Sequence, residues 1–132
     1  MGNVEPDVPI RTVLAFCDAW SRLDMGSVIA LLDNDIEYHN IPLQPLSGKR
    51  DVEAYLRGIG PFEACSWTVR SIAANGPVVL TERIDAFVVG GTQITLPVMG
   101  VFEVVDARIR GWRDYFDLAS YRAQWSEAEA RG

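Results

Sequence analysis

The chain has 132 residues, 48% hydrophobic and 23% charged, with a net charge of −6. That size suits one domain around one substantial core, and the acidic balance argues against nucleic acid, which needs a basic surface. One histidine and two distant cysteines, Cys17 and Cys65, give no zinc spacing.

The segment up to Pro9 reads as a loose N-terminal arm. It is acidic and lacks an apolar h-region, so no secretory signal is expected. No apolar run approaches the length of a membrane span. Two reduced, buried thiols fit a cytoplasmic protein.

Ile10, Val13, Leu14, Cys17, Trp20 and Leu23 form a stripe at helical spacing, an amphipathic helix of about a dozen residues. Asp24 is placed to cap a second, short helix whose Val28, Leu31 and Leu32 face inward. Asp33-Asn34-Asp35 reads as the turn that ends it. Ile36–Asn40 is strand-like, with Tyr38 and Asn40 on one face and His39 on the other. Prolines keep Ile41–Pro45 extended. A third helix begins near Asp51 and buries Val52, Tyr55, Leu56 and Ile59.

Beyond Pro61 the pattern switches to period two. A strand runs through Cys65, Trp67 and Val69 to about Ala73. Val78–Val89 is a long strand, and Gly90-Gly91 turns the chain into Thr92–Val105. Asp106-Ala107-Arg108 turns it again into Ile109–Asp117, and a C-terminal helix follows from Leu118. Helices first and an antiparallel meander afterwards give an α+β class. Long strands with bulge-prone glycines suggest a curved sheet whose concave side forms a pocket under the N-terminal helices. Residues 1–132 are expected to form a single domain, with 1–9 as the arm.

Charges interrupt this apolar plan at two places. Val78–Val89 is apolar on both faces and reads as a strand covered on both sides. Yet Arg83 and Asp85 share one of its faces. They form either an exposed ion pair near a strand end or a charged cluster in a pocket, since unpaired buried charges are costly. In the last strand Asp114 lies between Trp112 and Phe116 on one face, a carboxylate that needs partners. An arginine can bridge two carboxylates at once. Two acids in an apolar pocket are pushed apart in pKa, one to act as acid and one as base. Tyr38 and Asn40 are suited to hold a water, or are simply a satisfied edge tyrosine and a turn asparagine. His39 faces away and reads as structural. Cys17, Trp20, Ile59, Phe87, Leu96, Val98 and Phe116 are candidates for the pocket lining, or plain core.

The ordered set Tyr38-His39-Asn40-Ile41-Pro42-Leu43, Thr81-Glu82-Arg83-Ile84-Asp85, Gly100-Val101-Phe102 and Gly111-Trp112-Arg113-Asp114-Tyr115-Phe116-Asp117-Leu118 resembles limonene-1,2-epoxide hydrolases. The likeness runs from about Thr12 to Leu118. It implies a cone-shaped α+β fold like that of nuclear transport factor two, with a strongly curved mixed sheet and the N-terminal helices packed over its concave face to form a deep pocket, a homodimer, and one-step addition of water to an epoxide without cofactor, metal or covalent intermediate. Carried over, Asp114 is the base, Asp85 the acid, Arg83 the bridge between them, and Tyr38 and Asn40 hold the water. The implied substrate is a small hydrophobic, cyclic epoxide and the product a vicinal diol. The alternative is an acid/base enzyme of ketosteroid-isomerase or polyketide-cyclase type on the same fold.

Overall fold

A computed structural model describes residues 7–131. Helix α1 (Val8–Ser21) starts earlier than expected, with a proline in its first turn. A proline is tolerated there because that turn's N–H groups have no helical partner. Val8 and Pro9 therefore belong to the helix, not to an arm; residues 1–6 lie outside the described residues. The buried stripe of α1 is Thr12, Val13, Phe16, Cys17, Ala19 and Trp20. Leu14, expected inside, is exposed. Phe16 takes the central place, edge-on to Trp67, Phe102 and Trp112 with ring centroids 4.9–5.9 Å away. Helix α2 (Met25–Ala30) is capped as expected: Ser27 N–H donates to Asp24 Oδ1 at 3.1 Å.

Strand β1 (Leu32–Asn40) absorbs the predicted Asp33-Asn34-Asp35 turn. The turn chemistry survives as an irregularity. Asp35 N–H donates to Asp33 Oδ1 at 2.8 Å, and the register with the neighbouring strand shifts between Leu32 and Glu37. A two-residue strand β2 (Leu46–Ser47), too short to show in the pattern, pairs with β1 before helix α3 (Lys49–Gly58).

Strands β3 (Ala64–Asn75), β4 (Val78–Val89), β5 (Thr92–Val105) and β6 (Arg108–Tyr115) follow as the predicted meander. Gly90 and Gly91 at the β4–β5 turn have φ of 56° and 77°. These positive angles suit a tight turn that matches the strand twist. Strand β6 ends at Tyr115 rather than Asp117. Asp117 instead accepts N–H bonds from Ala119 and Ser120 at 3.0 and 3.3 Å and opens helix α4 (Leu118–Arg131).

The sheet is six-stranded, in the order β2-β1-β6-β5-β4-β3. It is mixed, because β1 runs parallel to β6 while the other pairs are antiparallel. It is curved and open, and the helices cover one face, α1 lying across β3 to β6, α3 against β1 and α4 against β5. Among the described residues the other face has no such cover: Leu80 and Glu82 of β4 are exposed. Val78–Val89 is thus buried on one side only, contrary to expectation. No described helix is long and apolar enough to cross a membrane.

Candidate active site

Alternation along β4 puts Thr81, Arg83 and Asp85 on the covered face, all nearly buried. Pairing then lines up one row across four strands. Thr81 lies opposite Gly100, Gly100 opposite Asp114, and Asp114 opposite Asn40. The next row holds Val79, Phe102, Trp112 and Tyr38. Neighbouring rows therefore carry charge above and aromatic rings below.

Arg83 is the hub, with 0% of its surface exposed. Its Nε donates to Asp85 Oδ1 at 3.0 Å and its Nη2 to Asp85 Oδ2 at 2.8 Å. Nη2 also reaches Asp114 Oδ2 at 3.2 Å, and Nη1 donates to Thr81 Oγ1 at 3.2 Å. The guanidinium lies over the Trp67 ring, 4.3 Å from its centroid, a favourable seat for a buried cation. Trp112 Nε1 donates to Asp114 Oδ2 at 3.0 Å, while Asp114 Oδ1 has no hydrogen-bond partner among the described residues. Arg83 and Asp85 are therefore no exposed ion pair.

One guanidinium serving two acids leaves the cluster short of positive charge. Burial pushes the Asp85 carboxyl up to about 6, with Arg83 pulling it down and the like charge of Asp114 raising it further. Burial works against the Arg83 charge, but Asp114 and Asp85 outweigh it and hold the guanidinium protonated. The site can therefore carry a proton on Asp85 near neutrality, which is what a general acid requires.

Tyr38 stacks on Trp112 with centroids 3.9 Å apart. Burial, then the charge of Asp114, pushes its hydroxyl far above the ordinary tyrosine value, so it stays a donor. The Asn40 amide acts on the hydroxyls of both Tyr38 and Tyr55. His39 faces the other way, its Nε2 2.9 Å from Leu43 O, which ties it to the loop after β1.

A cavity opens beside this cluster. Trp20, Ile59, Phe87, Leu96, Val98 and Phe116 line it, with Tyr38, Asn40, Asp85 and Asp114 at its polar end. Cys17 does not line it. The Cys17 thiol is packed in the core on α1, where burial pushes it up to about 12 and the charges of Arg83, Asp85 and Asp114 also act on it. Several wall residues were not singled out from the sequence. Tyr55 and Trp67 sat on apolar stripes without polar neighbours to mark them. Tyr121 comes from α4, whose sequence shows no clear apolar face, and it meets Phe116 with ring centroids 5.6 Å apart.

The family profile "Limonene-1,2-epoxide hydrolase catalytic domain" matches residues 7–127. The chain is 39% identical over 106 residues to epoxide hydrolase EphG of Mycobacterium tuberculosis, covering 80% of this chain and 71% of EphG. A solved M. tuberculosis LEH-like epoxide hydrolase superposes with a TM-score of 0.83 at 35% identity, over 96% of this chain and 95% of that one. A SnoaL-like polyketide cyclase from Shewanella denitrificans superposes with a TM-score of 0.79 at 14% identity, over 91% and 98% of the two chains. That last likeness is one of fold alone.

Proposed function

Because this chain belongs to the limonene-1,2-epoxide hydrolase family, and is an epoxide hydrolase of that kind, we propose that it adds water in one step to a small hydrophobic, cyclic epoxide and releases a vicinal diol. Asp114 takes a proton from a water held by Tyr38 and Asn40. The water oxygen bonds to a ring carbon as the carbon–oxygen bond breaks, and Asp85 gives its proton to the departing epoxide oxygen. Arg83 keeps the two acids in unlike states. Ring strain supplies driving force, so no covalent enzyme intermediate or cofactor is needed.

The observation that carries this reading is the buried Asp85–Arg83–Asp114 bridge, with both acids on the cavity wall. A single base on a carbon acid, as in an isomerase or cyclase, does not need a second acid bridged to it through an arginine. We also place the protein in the cytoplasm, which suits its free Cys17 and Cys65. For the uncovered sheet face, where Leu80, Met99 and Tyr115 are exposed, we propose a homodimer contact.

The test is a panel of cyclic and aryl epoxides with chiral analysis of the diols. Asp114→Asn and Asp85→Asn should each lower turnover by about 10²–10⁴, the usual worth of a general acid or base, with the fold retained. Single turnover in labelled water should put the label in the diol and none in the protein. Full activity in either mutant, or proton exchange into ketones with no epoxide turnover, would sink the reading.

A further inference from the structure

The Arg83 contacts leave an ion-pair contact unmade. Nη1 goes to a neutral hydroxyl, Thr81 Oγ1 at 3.2 Å, although a buried carboxylate oxygen with no hydrogen-bond partner among the described residues, Asp114 Oδ1, lies nearby. Both atoms sit over Gly100. A Cβ built on Gly100 would overlap Nη1, and would stand 2.9 Å from Oδ1 and 2.8 Å from Thr81 Oγ1. A small turn of the guanidinium would fork Nη1 and Nη2 end-on to the two oxygens of Asp114, a geometry that charge favours. That turn would occupy both oxygens of the proposed base. It would also take from Asp85 one of its two Arg83 hydrogen bonds.

Thr81 opposes the turn. It is buried, it accepts from Nη1, and its hydroxyl oxygen lies 3.4 Å from Gly100 O. Trp67 beneath the guanidinium restricts its plane in the same sense.

We propose that Thr81 is a positioning residue of the reaction: by holding Nη1 it locks Arg83 side-on to Asp85 and keeps the guanidinium out of an end-on, two-pronged ion pair with Asp114, so that Asp114 stays basic enough to take the proton of water. This rests on the hydrolase reading above. The charged and titratable groups that face Asp85 are Arg83 on its own strand, Asp114 on β6, Cys17 on α1 and Cys65 on β3. Burial holds both thiols at about 12, so they stay neutral throughout the range of the test.

Thr81→Val keeps the shape and removes the hydroxyl; Thr81→Ala does the same without bulk, should the valine variant fold poorly; Thr81→Ser restores it. The hydroxyl-free variants should lose about tenfold in kcat, the scale of one hydrogen bond to a charged group, with KM nearly unchanged. The alkaline limb of kcat/KM reports Asp85 losing its proton, and it should move to higher pH as Asp85 gives up an Arg83 bond. Thr81→Ser should return both to the parent values. Parent kcat and an unmoved limb would overturn the proposal. So would a fall in kcat with an unmoved limb that serine does not rescue, since that is mere structural damage. Carbon-13 NMR titration of the Asp85 carboxyl in the substrate-free protein reads the same displacement without turnover. Failure of the parent protein on every epoxide would thus count against the hydrolase reading, while the titration would still decide the role of Thr81.

Discussion

Gly100→Ala tests whether the charged bridge depends on a missing side chain. Gly100 sits between Thr81 on β4 and Asp114 on β6 in paired register. A methyl there overlaps Arg83 Nη1 and stands 2.8 Å from Thr81 Oγ1 and 2.9 Å from Asp114 Oδ1. All three are side-chain ends, which elsewhere would swing aside. Here they are 0%, 1% and 5% exposed by residue and bonded to one another, so one must leave the network. Overpacking costs about 1–3 kcal/mol, and a lost hydrogen bond to a charged group about 1.5–3 kcal/mol. The expected loss of stability is roughly 3–5 kcal/mol, and misplacement of the acids by about 1 Å should lower kcat by ~10²-fold. Urea denaturation followed by tryptophan fluorescence measures the first, and diol formation the second. Gly111→Ala is the internal control, because its new methyl meets the side chain of exposed Glu103 at 3.0–3.2 Å, whose carboxylate end can swing aside and whose Cβ need give only a few tenths of an ångström. A Gly100→Ala protein as stable as Gly111→Ala, with parent kcat, would refute the argument.

The raised carboxyl of Asp85 also governs stability. Its value is 3.8 ordinarily and about 6 in the fold, so the folded state holds that proton more tightly than the unfolded chain. The stabilisation is fully present below pH 3.8 and is lost as pH rises through about 6, a change of about 3 kcal/mol at most by linkage. Asp85→Asn, which has no such proton, should lose that much less stability than the parent between pH 4 and 7. Parallel urea stability curves against pH would contradict this. At the core, Phe16→Ala should cost about 3–5 kcal/mol, since the ring packs edge-on against Trp20, Trp67, Phe102 and Trp112. A thermal midpoint within a few degrees of the parent would show that the cluster is not the keystone of packing. The thiols of Cys17 and Cys65, pushed up to about 12 by burial, should resist a thiol reagent at pH 8 until the protein is unfolded; rapid labelling of either in the folded state would be the contrary result.

Strand periodicity determined a great deal from the residues alone. It placed Thr81, Arg83 and Asp85 on one face of β4, and Trp112 and Asp114 on one face of β6, because a pleated chain has no other way to direct them. Gly90-Gly91 fixed the central hairpin through its positive φ angles. An acid between aromatic residues announced that a partner had to exist, since charge is not buried alone. Local patterns could not say how far one strand slides past another. The parallel pairing of β1 with β6 brings Asn40 opposite Asp114, and the irregularity at Asp33–Asp35 that sets this register looks like a turn in the sequence. Nor could they reveal that Gly100 was empty for the sake of Arg83, that Cys17 would lie in the core rather than at the cavity, or that α4 would bring Tyr121 to its wall. Those were decided by contacts between distant segments, whose energies depend on register and packing and leave no periodic trace in the chain.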